Sequence, residues 1–424
     1  MTLNPTQMKI ASTGIIVAVV IASMACVIVY DESRDSGGGS ESVYNILARV
    51  NSDGSGIYIN EKLCRDTPLG DIPMRNGNPF YKIDTSGAYC VDADCRDAWG
   101  GLICGTPGNT SIQHVQMKQL VESMGLKFVL YESGTALSPD TVYYISTVTN
   151  YTAAMESKSN NGVSLDIGIV WEPQFSRIID ESGTETFRTL GLTNDFFPDH
   201  TCCILAGYSP YVSSHTDVAL RFLAGYIEAV RWVQEANDPS SANYGKLVDI
   251  CVASAGLSET VIEDALADIT YLYGDTDPDG TCDLHKLKRD IADVTAANSD
   301  SMRYGMKDLG FDNTIQFANR FVDDSYLISA LDVDKSKITG RSASVTVSAI
   351  TGDIHQIALV IGSAKGIVSA DHSIFDEYGI SVNISYANNG AGVAVALQNG
   401  AAQFGFLGAP PATITAVNSR LVTV

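Results

Sequence analysis

The chain has 424 residues, 45% of them hydrophobic, and 27 basic against 49 acidic side chains give a formal net charge of −22. That length buries one large two-lobed core or two medium domains, and the composition is globular rather than disordered. The acidic excess repels nucleic acid and anionic lipid, so it argues against a nucleic-acid partner and for an exposed, soluble body outside a cell.

Residues 1–30 hold one charge, Lys9, and the run from Ile10 to Tyr30 has 21 residues without any. A run of that length crosses a bilayer as a helix. Lys9 before it and Asp31, Glu32 and Asp35 after it orient the amino terminus inward and the body outward. Two readings stand: a retained signal-anchor, or a cleaved export signal with the small residues Ser23 and Ala25 ahead of Cys26. Either way the body is extracytoplasmic, membrane-anchored or secreted. Residues 31–41, polar and glycine-rich, read as a flexible stalk.

Eight cysteines follow: Cys64, Cys90, Cys95, Cys104, Cys202, Cys203, Cys251 and Cys282. An even number in an exported chain predicts disulfides, with the pairing open. The cluster from Cys64 to Cys104 also admits a metal knot, although it lacks paired C-x2-C units. Sequons at Asn109, Asn150 and Asn383 are compatible with surface glycosylation.

From Gly101 the chain alternates strands and helices. GLICGTPGNTSIQHVQMKQLVESMGLKFVLY reads as strand, glycine-rich turn, a helix capped by Thr110 or Ser111, a stop at Gly125, then a strand. VALRFLAGYIEAVRWVQEAN is an amphipathic helix with Leu220, Leu223, Ile227, Val230 and Val233 on one stripe. In DTDPDGTCD, the residues Asp275, Asp277, Asp279 and Asp283 mimic the alternating oxygens of a calcium loop. Lys286 stands where a bidentate Glu is wanted, so an acidic inter-helix loop competes with a Ca2+ site, and no other cofactor is expected. Towards the carboxyl end, IHQIALVIGSAKGI, ISVNISY and AGVAVALQNGAAQFGFLGAPP repeat the strand and helix units. The pattern predicts an α/β protein with mainly parallel sheets.

In such sheets ligands bind where strands feed helices, because free N–H groups at helix starts attract anions. Four turns qualify: GDIHQ (352–356), NNGAG (388–392), NSDGSG (51–56) and GTPGNTSIQH (105–114). None contains a complete nucleotide-loop motif, and each taken alone also reads as an ordinary turn.

Taken together, GTPGNTSIQH, GIVWEPQFSRI, LRFLAGYIEAVRWVQE, GDIHQIALVIGSAKGI and ALQNGAAQFGFLGAPPA resemble the substrate-binding proteins of ABC importers in the nitrate, sulfonate, taurine, bicarbonate and thiamine-precursor group. The resemblance covers nearly all of residues 42–424, but in a different order. The counterparts of GDIHQIALVIGSAKGI and FGFLGAPPA open that family and here close the chain. Joined to Ser42, the segment ending at Val424 reads on as NSRLVTVSVYNILARVNSDGSG. A circular permutation is therefore expected, with residues 333–342 as the linker. A fused gene and a lobe completed by a neighbouring copy stand as alternatives.

The resemblance implies a two-lobed, hinged, periplasmic-binding-protein-like (type II) fold, with an N-terminal hydrophobic helix ahead of it. Lobe 1 would comprise 42–97, 200–332 and 343–424, and lobe 2 would comprise 98–199. It implies no enzymatic activity, a small polar or anionic ligand, and ABC permease and ATPase subunits as partners. Its cleft residues would be His355, Gln356, Asn389, Gly390, Ser52, Ser55, Thr110, Ser111, His114, Trp171 and Glu172. Each has a plainer reading: His355 as a helix cap, Ser52 and Ser55 as turn formers, Trp171 as a core anchor, Glu172 as a cap. His200, His215, His285 and His372 read as surface residues. The alternative to capture is a surface-layer or filament subunit, self-assembling through the retained hydrophobic helix.

Overall fold

The computed structural model describes residues 42–155, 164–182, 186–276, 282–339 and 342–424. The N-terminal apolar run, the stalk, Asp277 and Asp279 lie outside the described residues. Among those described, no helix is long and apolar enough to cross a membrane.

Twelve strands build two six-stranded sheets. In chain order they are β1 (Tyr44–Asp53), β2 (Ser55–Asn60), β3 (Ile103–Thr106), β4 (Lys127–Leu130), β5 (Thr141–Ser146) and β6 (Ile167–Trp171), followed by β7 (Phe187–Leu192), β8 (Thr201–Tyr208), β9 (Ile269–Tyr271), β10 (Ala343–Ile350), β11 (Ile380–Ala387) and β12 (Phe404–Gly408). The first sheet has the order β9-β1-β8-β12-β10-β11 and the second β7-β2-β6-β3-β5-β4. Two lobes follow, one around each sheet, as the α/β, two-lobed expectation has it.

Two details differ from the sequence reading. The sheets are mixed rather than mainly parallel: β1 runs antiparallel to β8 and β9, β8 to β12, and β2 to both β6 and β7. Each of these pairs includes β1, β2 or β8, strands that border a crossing between the lobes. The lobe boundary also moves. β2 hydrogen-bonds within the second sheet, so the chain leaves the first lobe at Gly54 and not near residue 97, and it returns between Leu192 and Thr201. Residues 61–98 contribute only two-residue strands and short helices, which carry no periodic signal from which their lobe could be read.

The first lobe's core is centred on the helix Thr216–Ala236, whose Leu223, Ile227, Val230 and Val233 are buried as the stripe predicts, together with Phe222 and Tyr226. Phe222 stacks on Phe404 of β12 at 4.1 Å and on Phe375 at 5.2 Å. Burying three rings in one stack removes several hundred Å2 of apolar surface from water and fixes their relative orientation. Residues 343–424 thus supply three of the six strands of the first sheet and part of its core. The Val43 amide donates to the Leu421 carbonyl at 2.8 Å, and the Tyr44 hydroxyl donates to the Ala412 carbonyl at 2.7 Å.

Candidate functional site

The carboxyl ends of β3, β5 and β6 in one lobe and of β10, β11 and β12 in the other face a single cleft of about 580 Å3. After most of these strands the next residues begin a helix, and a side chain at the turn caps it. Ser111 Oγ accepts from the His114 amide at 3.1 Å, and Asn389 Oδ1 from the Gly392 amide at 3.0 Å. Asn150 Oδ1 accepts from the Ala153 amide at 2.9 Å, and Asp353 Oδ1 from the His355 amide at 2.9 Å. Each cap satisfies one donor of its first turn, and residues of these turns line the cleft, where the positive end of the backbone dipole lies.

His355 is the cleft's cation. Its Nδ1 lies 2.6 Å from Asp353 Oδ1 and its Nε2 2.8 Å from the Gly54 carbonyl oxygen. Both partners only accept, so the ring satisfies them by carrying a proton on each nitrogen. Burial alone would push its pKa down; the Asp353 carboxylate and the neighbouring acceptors outweigh that and hold it up at about 9. Among the described lining residues the only charged side chains are this imidazolium and Asp353, and there is no lysine or arginine.

The Gly54 carbonyl also accepts from the Glu172 amide at 2.9 Å. One oxygen at the crossing is therefore held by a residue of each lobe. Gly54 has φ +81°, and a Cβ there would stand 2.2 Å from His355 Nε2, so the crossing needs glycine for both conformation and space.

Of the residues expected from sequence, His355, Asn389, Gly390, Thr110, Ser111 and Trp171 line the cleft. Gln356, Ser52, Ser55, His114 and Glu172 do not. Gln356 turns back to donate to the Ile350 carbonyl at 2.9 Å, and Ser52 Oγ donates to Asp53 at 3.2 Å. Ser55 Oγ accepts from Gln113 Nε2 at 2.9 Å, behind the cleft wall. His114 meets Thr106 Oγ1 at 3.1 Å and packs edge-on against Tyr144; burial pushes it down to about 4, so it is neutral. Glu172 is fully buried and caps the next helix through the Ser176 amide at 3.1 Å and hydroxyl at 2.9 Å, with burial raising its pKa to about 8. His200 is not a surface residue: its ring is almost wholly covered beside the second crossing and donates to the Phe197 carbonyl at 2.9 Å.

The sequence reading missed Thr149, Asn150, Gln174, Thr351, Asn388 and the adjacent pair Cys202 and Cys203, all of which line the cleft. Thr149 and Asn150 follow β5, and the rule that selected the other turns applies to them. Asn150 also stands in a sequon, which is compatible with surface glycosylation. Nothing local marks Cys202 and Cys203, which enter from the amino-terminal end of β8, the antiparallel neighbour of β12.

The metal expectations change. Asp275 gives Oδ1 to Arg49 Nη1 at 3.1 Å and Oδ2 to the Leu287 amide at 3.0 Å. Asp283 accepts from the His285 amide at 2.9 Å and from its ring at 2.6 Å. These two carboxylates meet the start of the helix His285–Ala297 and a buried arginine; Asp277 and Asp279 lie outside the described residues, and among the described residues no group of three or more His, Cys, Asp or Glu is placed to hold a metal ion. The eight cysteines outside the N-terminal run stand as free thiols, where disulfides were expected; Cys64, Cys95, Cys104, Cys202, Cys203 and Cys251 are buried.

Solved structures of similar shape include a ligand-binding component of an ABC-type import system from Staphylococcus aureus with zinc bound, at 17% identity, covering 71% of this chain and 78% of that one, with a TM-score of 0.42. The periplasmic nitrate-binding protein NrtA from Synechocystis PCC 6803 has 14% identity over 70% of each chain and a TM-score of 0.45. The alkanesulfonate-binding protein SsuA from Xanthomonas axonopodis pv. citri, bound to MOPS, has 10% identity over 69% of this chain and 76% of that one, with a TM-score of 0.35. No family model and no curated protein matches the sequence.

Proposed function

We propose that the chain is an extracytoplasmic solute-binding protein that captures a small polar or anionic ligand in the interlobe cleft and presents it to an ABC importer. The observation that carries this reading is the meeting of six strand ends, three from each lobe, at one cleft, beside a crossing where the Gly54 carbonyl is shared by a residue of each lobe. Such a cleft bridges a ligand between two bodies, and closure follows from the ligand's preference for the closed state. No bond is made or broken in this reading. The permease and ATPase subunits are the partners it implies, and the apolar run from Ile10 to Tyr30 would hold or export the body.

The charge of the cleft narrows the ligand. The His355 imidazolium is already neutralised by Asp353, so what remains for a ligand is the partial positive charge of helix starts, about half a unit each. That field suits one negative charge and does not repay the desolvation of two. A singly charged oxyanion or sulfonate is favoured over a dianion. The same reading takes residues 343–424 as the permuted opening of the first lobe, supported by the Val43 to Leu421 hydrogen bond that brings the two segments together.

The test is thermal unfolding of residues 42–424 with nitrate, bicarbonate, methanesulfonate and sulfate, in the native chain and in Thr110→Trp. Thr110 is an exposed lining residue, so an indole there fills the cleft without entering the core. A bound monoanion at 100 times its Kd stabilises by about 2.7 kcal/mol; the variant should lose that gain and sulfate should give less. Equal shifts in both proteins, or none with any anion, would count against capture in this cleft.

A further inference from the structure

Cys202 and Cys203 are adjacent on β8, and in a regular strand adjacent side chains point to opposite faces. Here they do not. The ladder between β1 and β8 pairs Asn51 with Cys203 and Ser52 with Thr201, so Cys202 has no partner of its own and the strand bulges at that residue. A bulge re-aims a side chain, and here both cysteines line the cleft with their sulfurs 3.8 Å apart. The Asn51 side chain accepts from the Cys203 amide at 3.2 Å and donates to the Asp53 carbonyl at 3.1 Å, fixing the bulge from the neighbouring strand beside the crossing.

Two fates are open to a pair of neighbouring thiols. A disulfide between them is opposed by geometry, since adjacent Cα atoms across a trans peptide are about 3.8 Å apart and disulfides span roughly 4.4–6.8 Å. Chelation is not opposed. Two thiolates at about 2.3 Å from a tetrahedral metal ion are separated by about 3.8 Å, the spacing the bulge already holds. The two sulfurs would occupy two positions of such an ion and leave the remaining two facing the cleft. Soft thiolate ligands select thiophilic ions over magnesium or calcium.

We infer that Cys202 and Cys203 form a two-thiolate site on the cleft floor for one thiophilic metal ion, whose open positions face whatever else the cleft holds. The inference rests on the solute-binding reading only in that the same cleft gives access to the sulfurs.

Cadmium(II) is the probe. Titrated into reduced residues 42–424, it should produce sulfur-to-cadmium charge-transfer absorption saturating at one ion per chain. Cys202→Ser and Cys203→Ser should each weaken that binding at least tenfold, and the double variant should abolish it, with unfolding temperatures unchanged to show that the bulge survives. Phenylarsine oxide gives a check on the native chain: one arsenical should form two As–S bonds, the two thiol protons leaving with its oxygen as water, and should block cadmium. Cadmium bound equally by the double variant, or not bound by the native chain, overturns the inference. Anion-driven stabilisation without cadmium binding would overturn it and leave the solute-binding reading standing. Cadmium binding with no response to any anion would uphold it and remove that reading instead.

Discussion

Two acceptors, the Asp353 carboxylate and the Gly54 carbonyl, hold His355 in its charged form at the point where the chain passes from one lobe to the other. A histidine whose pKa rises from 6.5 to about 9 on folding contributes stability that is complete below about 6.5 and is lost as pH rises through about 9. Glu172, raised by burial from 4.5 to about 8, contributes in the same sense over a lower window, so the histidine's share is isolated by difference. Unfolding temperature should fall between pH 6.5 and pH 9 in the native chain. Asp353→Ala should lose about 3 kcal/mol at pH 6 by removing the partner that keeps the buried imidazole charged, and the alkaline decline should be flatter. Parallel profiles for the two proteins would contradict the assignment. Gly54→Ala is the companion change: its Cβ meets His355 Nε2 at 2.2 Å and its φ is +81°, so it should cost more than about 1 kcal/mol. An unfolding temperature equal to the native one would show that the crossing is looser than described. At this scale the sequence was legible in part. GDIHQ could be read as a helix-starting turn, but the partner that fixes the imidazole lies 301 residues away along the chain, and no local pattern contains it. For the same reason Ser55 and His114 looked like cleft donors and instead brace its wall.

Elements were legible where they are long. The helix Thr216–Ala236 was visible from its apolar stripe because 21 residues give several turns of a 3.6-residue period. β11 and β12 were visible in ISVNISY and FGFLGAPP, runs closed by Gly, Asn and Pro turns. The short pieces between residues 61 and 98 were not, since a two-residue strand has no period. The bulge in β8 was invisible too, because pairing register is decided by the partner strand. At the element scale the order of segments is testable. A chain running from Ala343 to Val424, then from Ser42 to Thr339, keeps every strand pairing of both sheets. It should fold with an unfolding temperature within a few degrees of the native chain and respond to the same anion. A rearranged chain that stays unfolded would count against the permutation.

For the whole molecule, the architecture predicts motion. Two sheets joined at two crossings, with capped helix starts facing each other across an open cleft, form a hinge whose closed state gains contacts only when a ligand fills the gap. A net charge of −22 favours solubility; on the proposed reading the cleft's selectivity would come from a handful of backbone donors and one paired imidazolium. Composition therefore bears on the compartment and not on the ligand. The most direct measurement is small-angle X-ray scattering of residues 42–424 with and without the monoanion that gives the largest thermal shift, alongside Thr110→Trp. The account predicts a smaller radius of gyration with the anion for the native chain and no ligand-dependent change for the variant. An unchanged radius for the native chain at saturating anion would contradict it.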